Sequence, residues 1–266
     1  MKKISTLLFL FMLTTQVSAT QILSGVFSVS ATQKVQFSPG NLQYVPSTGT
    51  WQMASQQTEV VGVDETSGSL GSYTGAVDLF TWANDYGNRI DSDWRMLTNE
   101  EWEYLLREEE IGYGPEMAGQ ATVGTQRGLI IVPDDWSEPA GLSFSASPDN
   151  WTTNSYSAQE WSQMEQAGAV FLPCVGDMGN YWSSTSNGAT NAYGMYFSES
   201  AIANGYSVAR SSSYAVRLVK DVKEAPTGVG DVQRTNVPCT KVIRDGQIYL
   251  MYKGKMYNVQ GEALKR

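Results

Sequence analysis

The sequence predicts an α+β fold in which short antiparallel strands carry two amphipathic helices, followed by a small three-stranded β meander. Three observations predict it. Apolar and aromatic residues come in short runs between clusters of Gly, Pro, Asn and Ser, which is the spacing of strands and turns. Two segments carry reciprocal helix-start signals, Thr98-Asn99-Glu100-Glu101-Trp102 and Ser157-Ala158-Gln159-Glu160-Trp161. The last part of the chain holds three strand-like runs, two of them joined by Asp245-Gly246, a strong hairpin signal. An apolar fraction of 41%, with 8 Trp, 14 Tyr and 8 Phe, is enough to fill a core, so the chain reads as globular.

Residues 1–19 combine Lys2 and Lys3, an apolar run from Ile4 to Leu13, and the small-residue site Val17-Ser18-Ala19. This is the pattern of a signal peptide, and its apolar core is well short of the roughly 20 residues that cross a bilayer. The expected mature protein is exported to the periplasm, the cell surface or the medium, with no transmembrane segment. Thr20, not a cysteine, follows the expected cleavage point, so no lipid-modified N-terminus is expected.

Strands are expected at Ile22–Val29, Lys34–Phe37 and Asn41–Val45, broken by Gly25, Pro39-Gly40 and Ser47-Thr48-Gly49. The segment from Gly62 to Gly75 reads as a polar surface loop. In the first helix Trp102, Leu105 and Leu106 share one face; in the second, Trp161 and Met164 do so before Gly168 ends it. Glu108, Glu109 and Glu110 read as a solvated helix end in preference to a metal or acid site. Gly128–Val132 and Ala169–Leu172 read as buried strands, each closed by a proline. Further strands run through Gly179–Thr185, from Ala192, from Tyr206 and from Tyr214 to Val219, separated by polar segments. The expected domains are therefore 22–221, a linker at 222–240 and a C-terminal β module at 241–266.

Composition excludes several classes of function. The formal charge is −9, and loss of Lys2 and Lys3 with the leader takes it to −11. Nucleic-acid binding needs clustered Lys and Arg, and no such cluster occurs. Histidine is absent, which removes the usual general base, the Ser-His and Cys-His pairs and the commonest transition-metal ligand. Cys174 and Cys239 are the two cysteines; they cannot build a zinc site, but in an oxidising compartment they could form one disulfide. No cofactor and no enzymatic activity are expected.

Trp94-Arg95-Met96-Leu97-Thr98 running into Glu101-Trp102-Glu103-Tyr104-Leu105, then Gly179-Asn180-Tyr181-Trp182-Ser183-Ser184 and Val216-Arg217-Leu218-Val219, resemble the Fibrobacter succinogenes major paralogous domain. Gly25–Val29 and Phe37–Tyr44 are similar to the N-terminal pattern of its Bacteroidetes members. The resemblance covers roughly 24–221 and implies a C-type-lectin-like domain of the formylglycine-generating-enzyme-like branch. Oxidase chemistry in that branch uses a late cysteine pair or histidines; Tyr181–Val219 has no cysteine and the chain has no histidine. Calcium-dependent sugar binding would need oxygen ligands, of which Ser147-Pro148-Asp149-Asn150 and Asn84-Asp85 are faint and reversed echoes. Asp134-Asp135 reads better as a turn after Pro133 than as a carboxylate site. The stretch Lys241–Lys265 resembles a short C-terminal module of exported Bacteroidetes proteins, which suggests sorting or surface attachment; a stabilising hairpin is the alternative.

The remaining reading is recognition of an extracellular protein or glycan through the polar late region. Asn187, Thr190, Asn191, Tyr193, Tyr196, Asn204, Tyr206, Ser211, Ser213 and Tyr214 are the expected contact residues. Tyrosine gives rigid contact area and small polar residues adapt around it, as in antibody paratopes. In some domains of this fold the late region is diversified by retroelements, and a segment this rich in Asn, Ser and Tyr fits; plain polar loop composition is the other explanation. A structural subunit of a surface fibre or envelope layer is the alternative function.

Overall fold

The computed structural model describes residues 22–60, 75–79, 82, 86–106, 117–146, 150–223, 240–244, 247–252 and 255–258. The chain divides into two units, one ending at Val222 and the other beginning at Lys223. The first contains β1 (Phe27–Ser28), β2 (Lys34–Val45), β3 (Thr50–Met53), β4 (Val77–Asp78), β5 (Arg95–Met96), α1 (Asn99–Leu105), β6 (Ala118–Val123), β7 (Gln126–Ile131), β8 (Asn154–Tyr156), α2 (Ala158–Gln166), β9 (Val170–Pro173), β10 (Gly179–Asn187), β11 (Asn191–Ser198), β12 (Ala201–Ala209) and β13 (Arg217–Asp221). It is a mostly β, broadly α+β fold with two helices among the described residues.

Three sheets share this unit. The first runs β1-β2-β13-β5, with β3 and β4 also paired to β2; the second runs β8-β6-β7-β9; the third runs β10-β11-β12. Strand β2 is continuous where the sequence predicts two strands. Its register with β13 jumps from Phe37 opposite Val219 to Asn41 opposite Arg217, leaving Ser38, Pro39 and Gly40 facing Leu218 alone. A bulge tolerates the missing N–H of Pro39. Gly40 is required by a close approach: a Cβ there would lie 2.5 Å from the Ala54 carbonyl oxygen. The strand expected from Ile22 shrinks to Phe27–Ser28.

The apolar runs at β7 and β9 follow from their place in the second sheet. Leu129, Ile131, Val170 and Leu172 point into the main core with Phe37, Trp102 and Phe197, while Ile130 and Phe171 point the other way, onto Trp161 and Met164 of α2. Both faces are buried, so no polar alternation appears. A third cluster gathers Leu42, Trp94, Met96, Trp182 and Leu218.

Both helices start with the reciprocal cap that the sequence predicts. Glu101 N–H donates to Thr98 Oγ1 at 3.2 Å and Thr98 N–H to Glu101 Oε2 at 2.8 Å. Ser157 and Glu160 repeat the arrangement at 2.7 and 3.3 Å. Helix α2 ends in a left-handed Gly168 (φ 99°), with Ala169 N–H donating to Met164 O and Gly168 N–H to Glu165 O. This bond pair satisfies the last carbonyls of the helix. The second unit is an antiparallel meander of β14 (Thr240–Arg244), β15 (Gln247–Tyr252) and β16 (Lys255–Tyr257). Among the described residues no helix is long and apolar enough to cross a membrane.

Candidate binding site

The third sheet carries most of the residues expected to make contact, and its register sorts them onto two faces. Side chains alternate along a strand, so Ala192, Gly194 and Tyr196 of β11 share one face, while Asn191, Tyr193, Met195 and Phe197 share the other. On the first face Tyr196 stands opposite Asn180, and Gly194 stands between Trp182 and Tyr206. On the second, Met195 and Phe197 enter the main core and leave Asn191 and Tyr193 at the far end.

Two bulges shape this sheet. Between the pairs Gly194–Tyr206 and Tyr196–Ala203, strand β12 has Asn204 and Gly205 where β11 has only Met195. Gly205 takes φ 67°, a conformation open to glycine, and so re-aims Tyr206. In β10, Ser183, Ser184 and Thr185 face Tyr193 alone. That bulge is tied down rather than free: Ser183 Oγ donates to Tyr193 O at 2.8 Å, Ser184 N–H to Leu97 O at 2.8 Å, and Asn99 N–H to Thr185 Oγ1 at 2.9 Å.

The expected contact residues therefore fall into two groups. Tyr196, Tyr206, Tyr214 and Ser213 lie on or beside the first face. The Tyr196 and Tyr206 rings meet edge to face at 5.5 Å, and Tyr206 remains 53% exposed. Tyr214 packs on Trp182 at 4.6 Å, and its hydroxyl is held above its ordinary value by burial, with Tyr206 adding to the effect. A Cβ on Gly194 would lie 3.1 Å from the Tyr214 ring, so glycine makes room for that packing. Asn187, Thr190 and Asn191 gather instead at the β10–β11 turn. Asn187 Nδ2 donates to Ser207 Oγ at 2.7 Å, Asn191 Nδ2 to the same oxygen at 3.4 Å, and Thr190 Oγ1 to Asn191 Oδ1 at 3.2 Å. Arg210 clamps this turn through Asn191 O and Gly188 O while its guanidinium lies 4.1 Å over the Trp82 ring. Tyr193 shares their face, Asn204 sits in the β12 bulge, and Ser211 is exposed just beyond β12.

Beside the first face lies a cleft of about 180 Å³ lined by Asn41, Asp78, Leu79, Pro173, Val175, Met178, Asn180, Ser213 and Ala215. Asp78 is only 2% exposed, and its Oδ1 has no hydrogen-bond partner. Burial pushes this carboxyl up to about 7 against the pull of Asn41, Arg217 and Gln43; Glu59 adds to the rise. Behind it Arg217, 1% exposed, donates to Asn41 Oδ1 at 3.1 Å, Ser38 O at 3.2 Å and Phe171 O at 2.9 Å. Asn41 Nδ2 donates to Tyr181 Oη, which donates to Pro173 O at 3.0 Å. Val175 and Met178 form the apolar rim, 44% and 46% exposed.

Of the other candidates, Asn84, Asp85, Ser147, Pro148, Asp149 and Glu108–Glu110 lie outside the described residues. Asn150 Oδ1 accepts from the N–H and Oγ1 of both Thr152 and Thr153, which uses that oxygen to cap a turn. Asp134 accepts from Ser28 N–H, Ser28 Oγ and Lys34 Nζ, tying the turn after Pro133 to β1 and β2. Cys174 is buried, with its thiol pushed up to about 12 by burial and by Asp177, and Cys239 lies outside the described residues.

Sequence reasoning did not single out Asn41, Asp78 or Asn180. The legible signal was Arg217 within the otherwise apolar Ala215–Val219: a charge in a strand buried on both faces needs buried acceptors nearby. With the fold and both faces of the sheet in view, comparison with protein-family models, curated proteins and solved structures finds no match.

Proposed function

We propose that this chain is an exported, non-enzymatic binding protein of C-type-lectin-like build that recognises an extracellular protein or glycan. The observation that carries the proposal is the Tyr196–Tyr206 pair: two rings set edge to face on the β10–β12 sheet, on the face whose Trp182 and Ala192 are buried in the third core cluster, with Tyr206 half exposed and oriented by a glycine bulge. Aromatic side chains with few rotatable bonds supply contact area at low entropic cost, and a sheet holds them more rigidly than a loop. Ser213 and Asn180 supply polar partners along the same face. The affinity to the Fibrobacter succinogenes major paralogous domain rests on motif residues that this unit buries, among them Trp94, Leu97, Trp102, Tyr181, Trp182 and Arg217.

The test is binding of the exported chain to glycan and extracellular-protein arrays, with calcium and with chelator. A specific hit indifferent to chelator is expected; a hit lost on chelation would make the site a calcium site. N-terminal sequencing of the exported protein should begin at Thr20, and retention of residues 1–19 would contradict export by a cleaved leader. The exposed Leu250 and Met251 on β15 favour a second reading, assembly into a surface structure. Concentration-dependent assembly, abolished by deleting residues 222–266, would decide for it.

A further inference from the structure

Asp78, Asn180 and Ser213 converge on one small cleft, and no activity proposed above uses Asp78. Leaving a buried polar atom without a partner costs about 1–3 kcal/mol, more for a charged group, so the enclosed, unpartnered Oδ1 of a carboxyl that lines a cleft needs a reason. Arg217 does not supply the missing partner. Its donors go to Asn41, Ser38 and Phe171, and no ion pair joins it to Asp78 among the described residues.

The charges facing Asp78 are unbalanced in one direction. From β13 comes the single cation Arg217, and from the segment after β3 comes Glu59, a second acid. Asn41 and Gln43 of β2 are neutral, as is Tyr181 of β10, whose hydroxyl burial holds protonated; Glu165 of α2 faces Arg217 from its other side. With Asp78 ionised, the acids Asp78, Glu59 and Glu165 share the one cation Arg217. The cleft also lacks the size for a large ligand: about 180 Å³ is below the roughly 300–1,000 Å³ of sites for drug-sized molecules. Its polar side chains each carry an acceptor oxygen, and its mouth is apolar at Val175 and Met178.

We infer that this cleft takes an alkylammonium group, with the ammonium at the Asp78 carboxylate, Asn180 and Ser213 and its alkyl stem against Val175 and Met178. An ammonium has three N–H donors and no acceptor, and a lysine-type stem is apolar up to the charge, so both halves of the group find their complement. The source is either a lysine side chain of a protein partner or a small free amine. The inference shares Asn180 and Ser213 with the proposed tyrosine face but adds Asp78 and leaves out Tyr196 and Tyr206, so Asp78→Asn and Tyr206→Ala separate the two readings.

The experiment is an NMR titration of the full chain with n-butylamine and with Nα-acetyl-lysine methylamide, following the Asp78 carboxyl carbon and the Asn180 side-chain amide. n-Butanol and Nα-acetyl-norleucine methylamide serve as neutral controls. Saturable shifts are expected with both amines and not with the controls. The raised Asp78 carboxyl transition near pH 7 should move down by about one unit or more at saturation, because the ammonium favours the ionised form. Apparent affinity should rise about tenfold between pH 6 and pH 8 as the carboxyl ionises. Asp78→Asn should weaken binding at least about tenfold, since it removes the charge that opposes the ammonium. Asn180→Ala, a milder change, should weaken it without unfolding the chain, and Tyr206→Ala should leave it unchanged. Tighter binding of the lysine derivative than of butylamine would mark a protein side chain as the source; equal binding would mark a free amine. Equal binding of the neutral controls, full affinity in Asp78→Asn, or an Asp78 transition unmoved by saturating amine would each overturn the inference, whatever the arrays report for the tyrosine face.

Discussion

Arg217→Ala tests the packing that holds the site together. The guanidinium, 1% exposed, joins the β2 bulge at Ser38 and Asn41 to the second sheet at Phe171. Truncation takes the donor from three buried acceptor oxygens, Asn41 Oδ1, Ser38 O and Phe171 O, each costing about 1–3 kcal/mol where it is left unpaired. Removing one member of a buried charged network costs about 3–5 kcal/mol as a whole. The two routes agree on a loss of about 4 kcal/mol, a large share of the roughly 5–15 kcal/mol by which a domain is stable. Urea unfolding followed by tryptophan fluorescence measures it, since Trp94, Trp102 and Trp182 are all buried. The midpoint should fall by about 1.5–2 M urea with the slope little changed. Arg217→Met, which keeps most of the volume, should recover less than half of the loss, because the Ser38 and Phe171 carbonyls stay unpaired. A loss below about 1 kcal/mol, the value of an exposed ion pair, would refute the burial and ligation described for Arg217.

Asp78→Asn should change the pH dependence of stability. The Asp78 carboxyl sits at about 7 in the fold against an ordinary 3.8, so ionising it opposes folding. That penalty is absent below about pH 4, grows as pH rises to about 7 and stays constant above, reaching about 4 kcal/mol at most. The variant should therefore gain on wild type across that window in urea unfolding, and a difference independent of pH would contradict the assignment. Thr98→Ala removes one half of the α1 capping box and should lower stability by about 1 kcal/mol, read as a midpoint shift; no shift would mean the cap is replaced by water at no loss. Gly179→Ala should be far worse, because a Cβ there would lie 2.0 Å from the Phe197 ring in the main core, and soluble, fully stable protein would show that the ring can move aside.

Local signals explain which parts of the fold were legible. Both helix starts could be read because a capping box is a contact between residues three apart, and Gly168 marks the end of α2 through its own left-handed backbone. The buried strands β7 and β9 were visible as apolar runs, though not the reason for their apolarity, which is that α2 covers the far face. Pro39-Gly40 read as a break and proved a bulge, because the partner strand that accommodates it lies far along the chain at β13. The same distance hid the site. Whether Tyr193 and Tyr196 share a face depends on strand parity and on where the bulges fall, and one extra residue in β12 settles where Tyr206 points. Asp78 acquires its chemistry from burial and from neighbours such as Asn41 and Arg217, and its cleft from Asn180, which the fold brings together from separate strands.

The central claim, that the Tyr196–Tyr206 region of the β10–β12 sheet is the contact surface, is tested most directly by array binding of three proteins side by side. These are the wild type, Tyr196→Ala/Tyr206→Ala, and Tyr193→Ala on the opposite face. The paired substitution removes one aromatic contact worth about 0.5–1.5 kcal/mol, so its thermal transition should fall by only a few degrees. The account predicts that binding is lost in the paired variant and kept in Tyr193→Ala. Binding kept in the paired variant, or lost only in step with unfolding, would contradict it.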